Sequence, residues 1–120
     1  MTSACESGPS AWVQSHASLV KRGGKVLDVA AGGGRHTRYF KELGYQVTAL
    51  DRDVSRLQDL AGPGIEIVVA DLEDGSPWAL GTREFDGIVV TNYLHRPLFP
   101  HLAGALAEGG VLVYETFSAR

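Results

Sequence analysis

Five polar residues recur at near-constant spacing in this chain: Asp28, Asp51, Asp71, Asn92 and Glu115, at steps of 23, 20, 21 and 23 residues. Each belongs to an apolar run, "KVLDVA", "YQVTALD", "IEIVVAD", "FDGIVVTN" and "GGVLVYETF", and falls at or near its end. Just beyond Asp28 stand Gly32, Gly33 and Gly34. Glycines let a backbone pass close to a bound molecule, and the helix-like pattern that follows offers free N–H groups beside it. Such a loop suits a nucleotide. A carboxylate beside it repels a pyrophosphate and attracts an ammonium or a sulfonium, so these residues describe a nucleoside-like ligand carrying positive charge. The other reading of Asp28 is that it caps or braces the glycine loop. Asp51 is placed to accept from two ribose hydroxyls, although dinucleotide-binding folds use an acid there for the same purpose.

The remaining candidates are weaker. His95 follows the Asn92-Tyr93-Leu94 end of the fourth run and could take a proton from an acceptor, or serve as a surface or packing residue. Glu115 either lines the same cleft or is exposed. His16, His36 and His101 fall within helical patterns and read as structural or solvent-facing. No pair of histidines has metal-ligand spacing supported by a carboxylate, so no metal is expected. Trp12 and Trp78 read as core or rim aromatics.

The spacing of the polar residues is that of a β-α-β repeat, with room for a strand, a short loop, two to three turns of helix and another loop. The runs are apolar throughout rather than alternating, which indicates a parallel sheet covered on both faces. Ligands of that doubly wound class sit outside the carboxyl ends of the strands, where the polar residues fall. A first helix is predicted over about 10–22, capped by Ser10, with Val13, Ala17 and Val20 inward and Gly23-Gly24 as its stop. The second covers "RHTRYFKEL", with His36, Phe40 and Leu43 on one face, ending at Gly44. The third starts at Asp53 with Val54 and Leu57 inward. The fourth runs from about Pro97, with Leu98, Leu102, Ala105 and Leu106 on one stripe before Gly109-Gly110. "LEDGSPWALGTRE" is predicted as loop with one turn around Trp78.

Composition bounds the function. With 120 residues, 44% hydrophobic and 21% charged, the chain reads as one globular domain over residues 1–120, its nucleotide-binding core at about 25–117. A net charge of -3, with Lys21, Arg22 and Lys25 the only close basic cluster, argues against nucleic acid. Cys5 is the only cysteine, the opening "MTSACESGPS" lacks a leader pattern, and no apolar stretch approaches a membrane span. A cytoplasmic protein is expected.

Among nucleotide ligands, S-adenosylmethionine meets the charge requirement, having an ammonium, a sulfonium and a ribose diol. A dinucleotide turn wants a third glycine where Thr37 stands. "VLDVAAGGGRHT" resembles the first motif of class I S-adenosylmethionine-dependent methyltransferases, met by Asp28, Ala30, Gly32 and Gly34. "VTALDRD", "VVADLED" and "FDGIVVTNYLHR" resemble that family's second-, third- and fourth-strand motifs. The match runs from about Lys25 to Phe117, and the G-x-G-R pattern with Arg35 is similar to small bacterial methyltransferases of the tellurite-resistance type.

The resemblance implies a Rossmann-like three-layer α/β/α fold with strand order 3-2-1-4-5, ending before the family's usual strands six and seven. It implies a cofactor set of Asp28, Ala30, Gly32, Gly33, Gly34, Asp51, Arg52, Asp71, Leu72, Asn92 and Tyr93. In that set Asp51 binds the ribose, Asp71 with the Leu72 backbone meets the adenine, and Asn92 with Tyr93 lies beside the methionine and its methyl group. It implies direct displacement at the sulfonium methyl by an acceptor nucleophile; the acceptor, expected to be a small molecule, does not follow from the resemblance, and His95 is the candidate base from its place after strand four. Ala30, where the family has glycine, costs little if its φ is negative. An NAD(P)-binding domain and a catalytically silent binding module are the alternatives. The long apolar fifth strand predicts an exposed edge and a homodimer through it.

Overall fold

The computed structural model describes residues 9–116. Cys5 and Phe117 lie outside them, as do the ends of the predicted 1–120 domain. Five parallel strands, β1 (Lys25–Val29), β2 (Gln46–Asp51), β3 (Ile65–Val69), β4 (Phe85–Thr91) and β5 (Leu106–Glu115), form one sheet in the expected order 3-2-1-4-5. Among the described residues three α-helices pack on it: α1 (Ala11–His16), α2 (Arg35–Glu42) and α3 (Phe99–Ala105).

The continuous apolar runs follow from burial on two faces. Side chains alternate along a strand, so Leu27 and Val29 of β1 join Ile88 and Val90 of β4 under Leu98, Leu102 and Ala105. Val26 and Val89 point the other way and meet Val13, Ala17, Val20 and Phe40. Gly87 is needed on this second face, because a Cβ there would stand 2.9 Å from both methyls of Val20. The outer strands are less covered: β3 has no fully buried residue, and Val69 is 64% exposed.

Several predicted elements are shorter than expected. Ser10 Oγ accepts the Val13 N–H at 3.0 Å and caps α1, but the α-helix ends at His16, gives way to a 3-10 turn over Ala17–Leu19, and never reaches residue 22. Val13, Ala17 and Val20 still face inward. The third helix is absent. Asp53 caps only its own turn, accepting from the Ser55 N–H, and the i→i+3 bond from Leu57 N–H to the Val54 carbonyl leads into a 3-10 turn at Gln58–Leu60. A segment this short, with Val, Ser and Asp among its residues, does not repay helix nucleation. Val54 and Leu57 are buried as predicted.

Leu43 is 49% exposed, because α2 ends at Glu42 and Leu43 lies beyond the buried stripe of His36 and Phe40. Leu106 belongs to β5 rather than to the last helix. Gly109 and Gly110 lie in a bulge where the pairing jumps from Phe85–Leu106 to Gly87–Val111. The Leu72–Glu84 segment is loop, with a turn closed by Gly81 N–H on the Trp78 carbonyl.

Candidate functional site

The sheet brings its carboxyl ends together around a cleft of about 310 Å³, lined among others by Ala30, Asp51, Arg52, Asp71, Leu72 and Tyr93. These six come from four strand ends, and all belong to the cofactor set implied by the sequence. Asp28, Gly32, Gly33, Gly34, Asn92 and His95 do not line it.

Asp51 ends β2 and joins the glycine loop to the cleft. Its Oδ2 accepts the Gly32 N–H at 2.8 Å and its Oδ1 the Asp53 N–H at 3.1 Å. An ionised carboxylate offers about four acceptor positions, so capacity for two further donors remains. Asp71 accepts the Glu73 N–H through Oδ1 at 2.9 Å. Tyr93 closes the opposite side: its hydroxyl donates to Glu73 Oε2 at 2.8 Å, and its carbonyl accepts from Tyr114 at 2.7 Å. Burial and the Glu73 carboxylate raise the Tyr93 pKa far above the usual phenol value, so this phenol remains a donor. Glu73 is a site residue that the strand-end pattern does not single out, because it lies two residues past β3's terminal acid.

Asp28 sits beneath the glycine loop rather than in the cleft. It shares a strand face with Val26, which aims it at α2, and it is 1% exposed. Its Oδ2 accepts the Thr37 hydroxyl at 2.7 Å. Burial pushes its pKa up to about 7, only partly offset by the Thr37 hydrogen bonds. The Asp28–Thr37 pair therefore braces the start of α2, and the Thr37 that interrupts a dinucleotide pattern is the partner of this acid. Gly34 completes the turn at φ 87°, where a Cβ would meet Leu60 at 2.6 Å. Ala30 adopts φ 58°. The condition for a costless alanine, a negative φ, is not met, and the left-handed backbone costs roughly 1–2 kcal/mol.

Asn92 is exposed at the end of β4, with φ 57° and its N–H donating to the Glu115 carbonyl at 2.8 Å. Glu115 itself is half-buried. His36, expected to be structural or exposed, is 2% exposed and accepts the Ser10 N–H through Nε2 at 3.0 Å, while Nδ1 faces the Thr91 hydroxyl at 3.4 Å. Burial lowers its pKa to about 4. His95 stands outside the cleft in a neighbouring cavity with Trp78 and His101. Among the described residues no three His, Cys, Asp or Glu side chains cluster as a metal site, and no helix is long and apolar enough to cross a membrane.

A family model described as "Methyltransferase domain" matches residues 26–110. A protein-L-isoaspartate O-methyltransferase of Chlorobaculum tepidum is 39% identical over 102 residues, covering 79% of this chain and 46% of that protein. The structure of a TehB-like SAM-dependent methyltransferase from Corynebacterium glutamicum is similar with a TM-score of 0.66 at 25% identity, covering 84% of this chain and 60% of that one. The glycopeptide N-methyltransferase MtfA complexed with S-adenosylmethionine gives a TM-score of 0.65 at 29% identity, covering 83% of this chain and 51% of that one. The chain thus spans 46% to 60% of the length of these relatives.

Proposed function

The chain belongs to the methyltransferase domain family, and on that premise we propose that it binds S-adenosylmethionine and transfers its methyl group to a small-molecule acceptor. The observation that carries this reading is the convergence of Asp51, Asp71, Leu72 and Tyr93 on one cleft at the carboxyl ends of the strands. The residues fit the cofactor. The two free acceptor positions of Asp51 suit the ribose diol, Asp71 with the Leu72 N–H suits the adenine edge, and Asn92 and Tyr93 stand at the strand end where the methionine portion would lie. Gly32, held to Asp51 through its N–H, brings the glycine loop beside the ribose end, which Ala30 and Arg52 flank.

When bound, the cofactor supplies an electrophilic methyl group on a sulfonium. The protein's part is to align donor and acceptor and to exclude water, which does not demand a strong acid or base. Asp28 acts at one remove, holding α2 and the glycine loop in place through Thr37.

The same reading keeps the protein cytoplasmic and, on its net charge of -3, without a nucleic-acid partner. It also includes a homodimer through β5, whose outer edge has no partner strand among the described residues and where Leu112 is 40% exposed. Light scattering tests that contact, and a monomer at high concentration would remove it. The catalytic reading is tested by transfer of labelled methyl from S-adenosylmethionine to a panel of small thiols, oxyanions, carboxylates and amines. Label in a product supports it; S-adenosylhomocysteine binding without transfer to any of them would favour a silent binding module.

A further inference from the structure

Beside the cleft lies a second cavity of about 620 Å³, within the range of small-molecule sites. The two share Ala70, Asp71, Leu72 and Glu73 as a common wall. The far side of the second cavity includes Trp78, whose ring stacks on His101 with centroids 5.2 Å apart and planes 6° from parallel. Pro77, Pro97 and Leu98 add apolar surface.

Its charge is one-sided. Asp71, Glu73 and Asp74 line it, with His95 and His101 as its only basic groups and no lysine or arginine. Each carboxylate has one oxygen engaged, by the Glu73 N–H, the Tyr93 hydroxyl and the Ser76 N–H respectively. None of the three forms an ion pair among the described residues. Three uncompensated carboxylates around a hollow with a flat aromatic wall favour a cation that also carries apolar surface. They disfavour carboxylates and phosphates by the same charge.

We propose that this cavity is a binding subsite for an amine bearing an aromatic or bulky apolar group, its ammonium toward the Asp71–Asp74 loop and its apolar part against Trp78. The inference goes beyond the cofactor reading and is read out without any cofactor. An amine held there would stand one loop away from the cleft that the proposed methyl donor occupies.

The test uses Trp12→Phe, which leaves Trp78 as the sole tryptophan; Trp12 is 49% exposed. Fluorescence titration with 3-phenylpropylamine and with 3-phenylpropionate, equal in skeleton and opposite in charge, should show saturable change with the amine and at least about tenfold weaker binding of the acid. The amine affinity should fall at least about threefold in Asp74→Asn, a residue outside the cofactor cleft. Equal binding of the two probes, or no saturable response to either in the folded protein, would overturn the proposal. Calorimetry with S-adenosylhomocysteine on the same preparation separates the two readings: amine binding without cofactor binding leaves the subsite standing and removes the cofactor assignment.

Discussion

The Thr37 hydroxyl, in the first turn of α2, donates at 2.7 Å to Oδ2 of an Asp28 that is 1% exposed. A strand acid and a helix threonine are thereby locked across the glycine loop, which fixes the passage from β1 into α2.

The acid of this pair titrates against folding. Its carboxyl is raised from 3.8 to about 7 by burial, so the stability it lends is complete below about pH 4 and is lost as pH rises through 7. Asp28→Asn removes that slope. Urea unfolding at pH 5 and pH 8 should show the variant gaining on wild type as pH rises, by an amount on the order of 2–4 kcal/mol. The gain should change little with salt, since the group is shielded from solvent. A difference independent of pH would mean that the acid is ionised throughout.

His36 gives the opposite sign. Its pKa is lowered to about 4 from 6.5, so the stability it lends is complete above 6.5 and is lost as pH falls through 4. Its protonation would also cost the acceptor for the Ser10 N–H. Protection factors at α1, with the intrinsic pH dependence of amide exchange divided out, should therefore fall between pH 6 and 4 before those of the central strands. A uniform fall across the sheet would contradict a local role.

Ala30 carries a removable strain. At φ 58° a glycine avoids the roughly 1–2 kcal/mol left-handed penalty but gives back about 0.4–1 kcal/mol of unfolded-state entropy. Ala30→Gly should raise unfolding stability by about 0.5–1 kcal/mol, seen as a higher urea midpoint with unchanged slope. A lower midpoint would show that the methyl packs well enough to outweigh the strain.

Much of the fold was legible because strands β1, β2 and β4 are buried on two faces and so read as unbroken apolar runs, with polar residues at their ends. Six of the eleven expected cofactor residues share one cleft for the same reason: parallel strands of equal phase bring their carboxyl ends together. What escaped the pattern was long-range or conformational. Nothing local ties Thr37 to Asp28, nine residues away across a turn. The sign of φ at Ala30 depends on the loop rather than on the residue. Asp53, Val54 and Leu57 carry a helix-start signal, yet the segment closes with i→i+3 bonds, since periodicity reports which residues face inward and not how the backbone turns.

Asp51 is the residue with most at stake in the cleft. On the proposed reading, its replacement by Ala removes charge-assisted hydrogen bonds to the ribose worth about 1.5–3 kcal/mol each. Affinity for S-adenosylhomocysteine should fall at least about tenfold, a factor equivalent to ~1.4 kcal/mol. Because Asp51 also accepts the Gly32 N–H, circular dichroism must show the variant folded. Unchanged affinity would place the ribose elsewhere.

Calorimetric titration of the 120-residue chain with S-adenosylhomocysteine and, separately, with NADH tests the central assignment most directly. The account predicts one saturable site for the first and no measurable heat of binding for the second. Binding of NADH with no response to S-adenosylhomocysteine would contradict it.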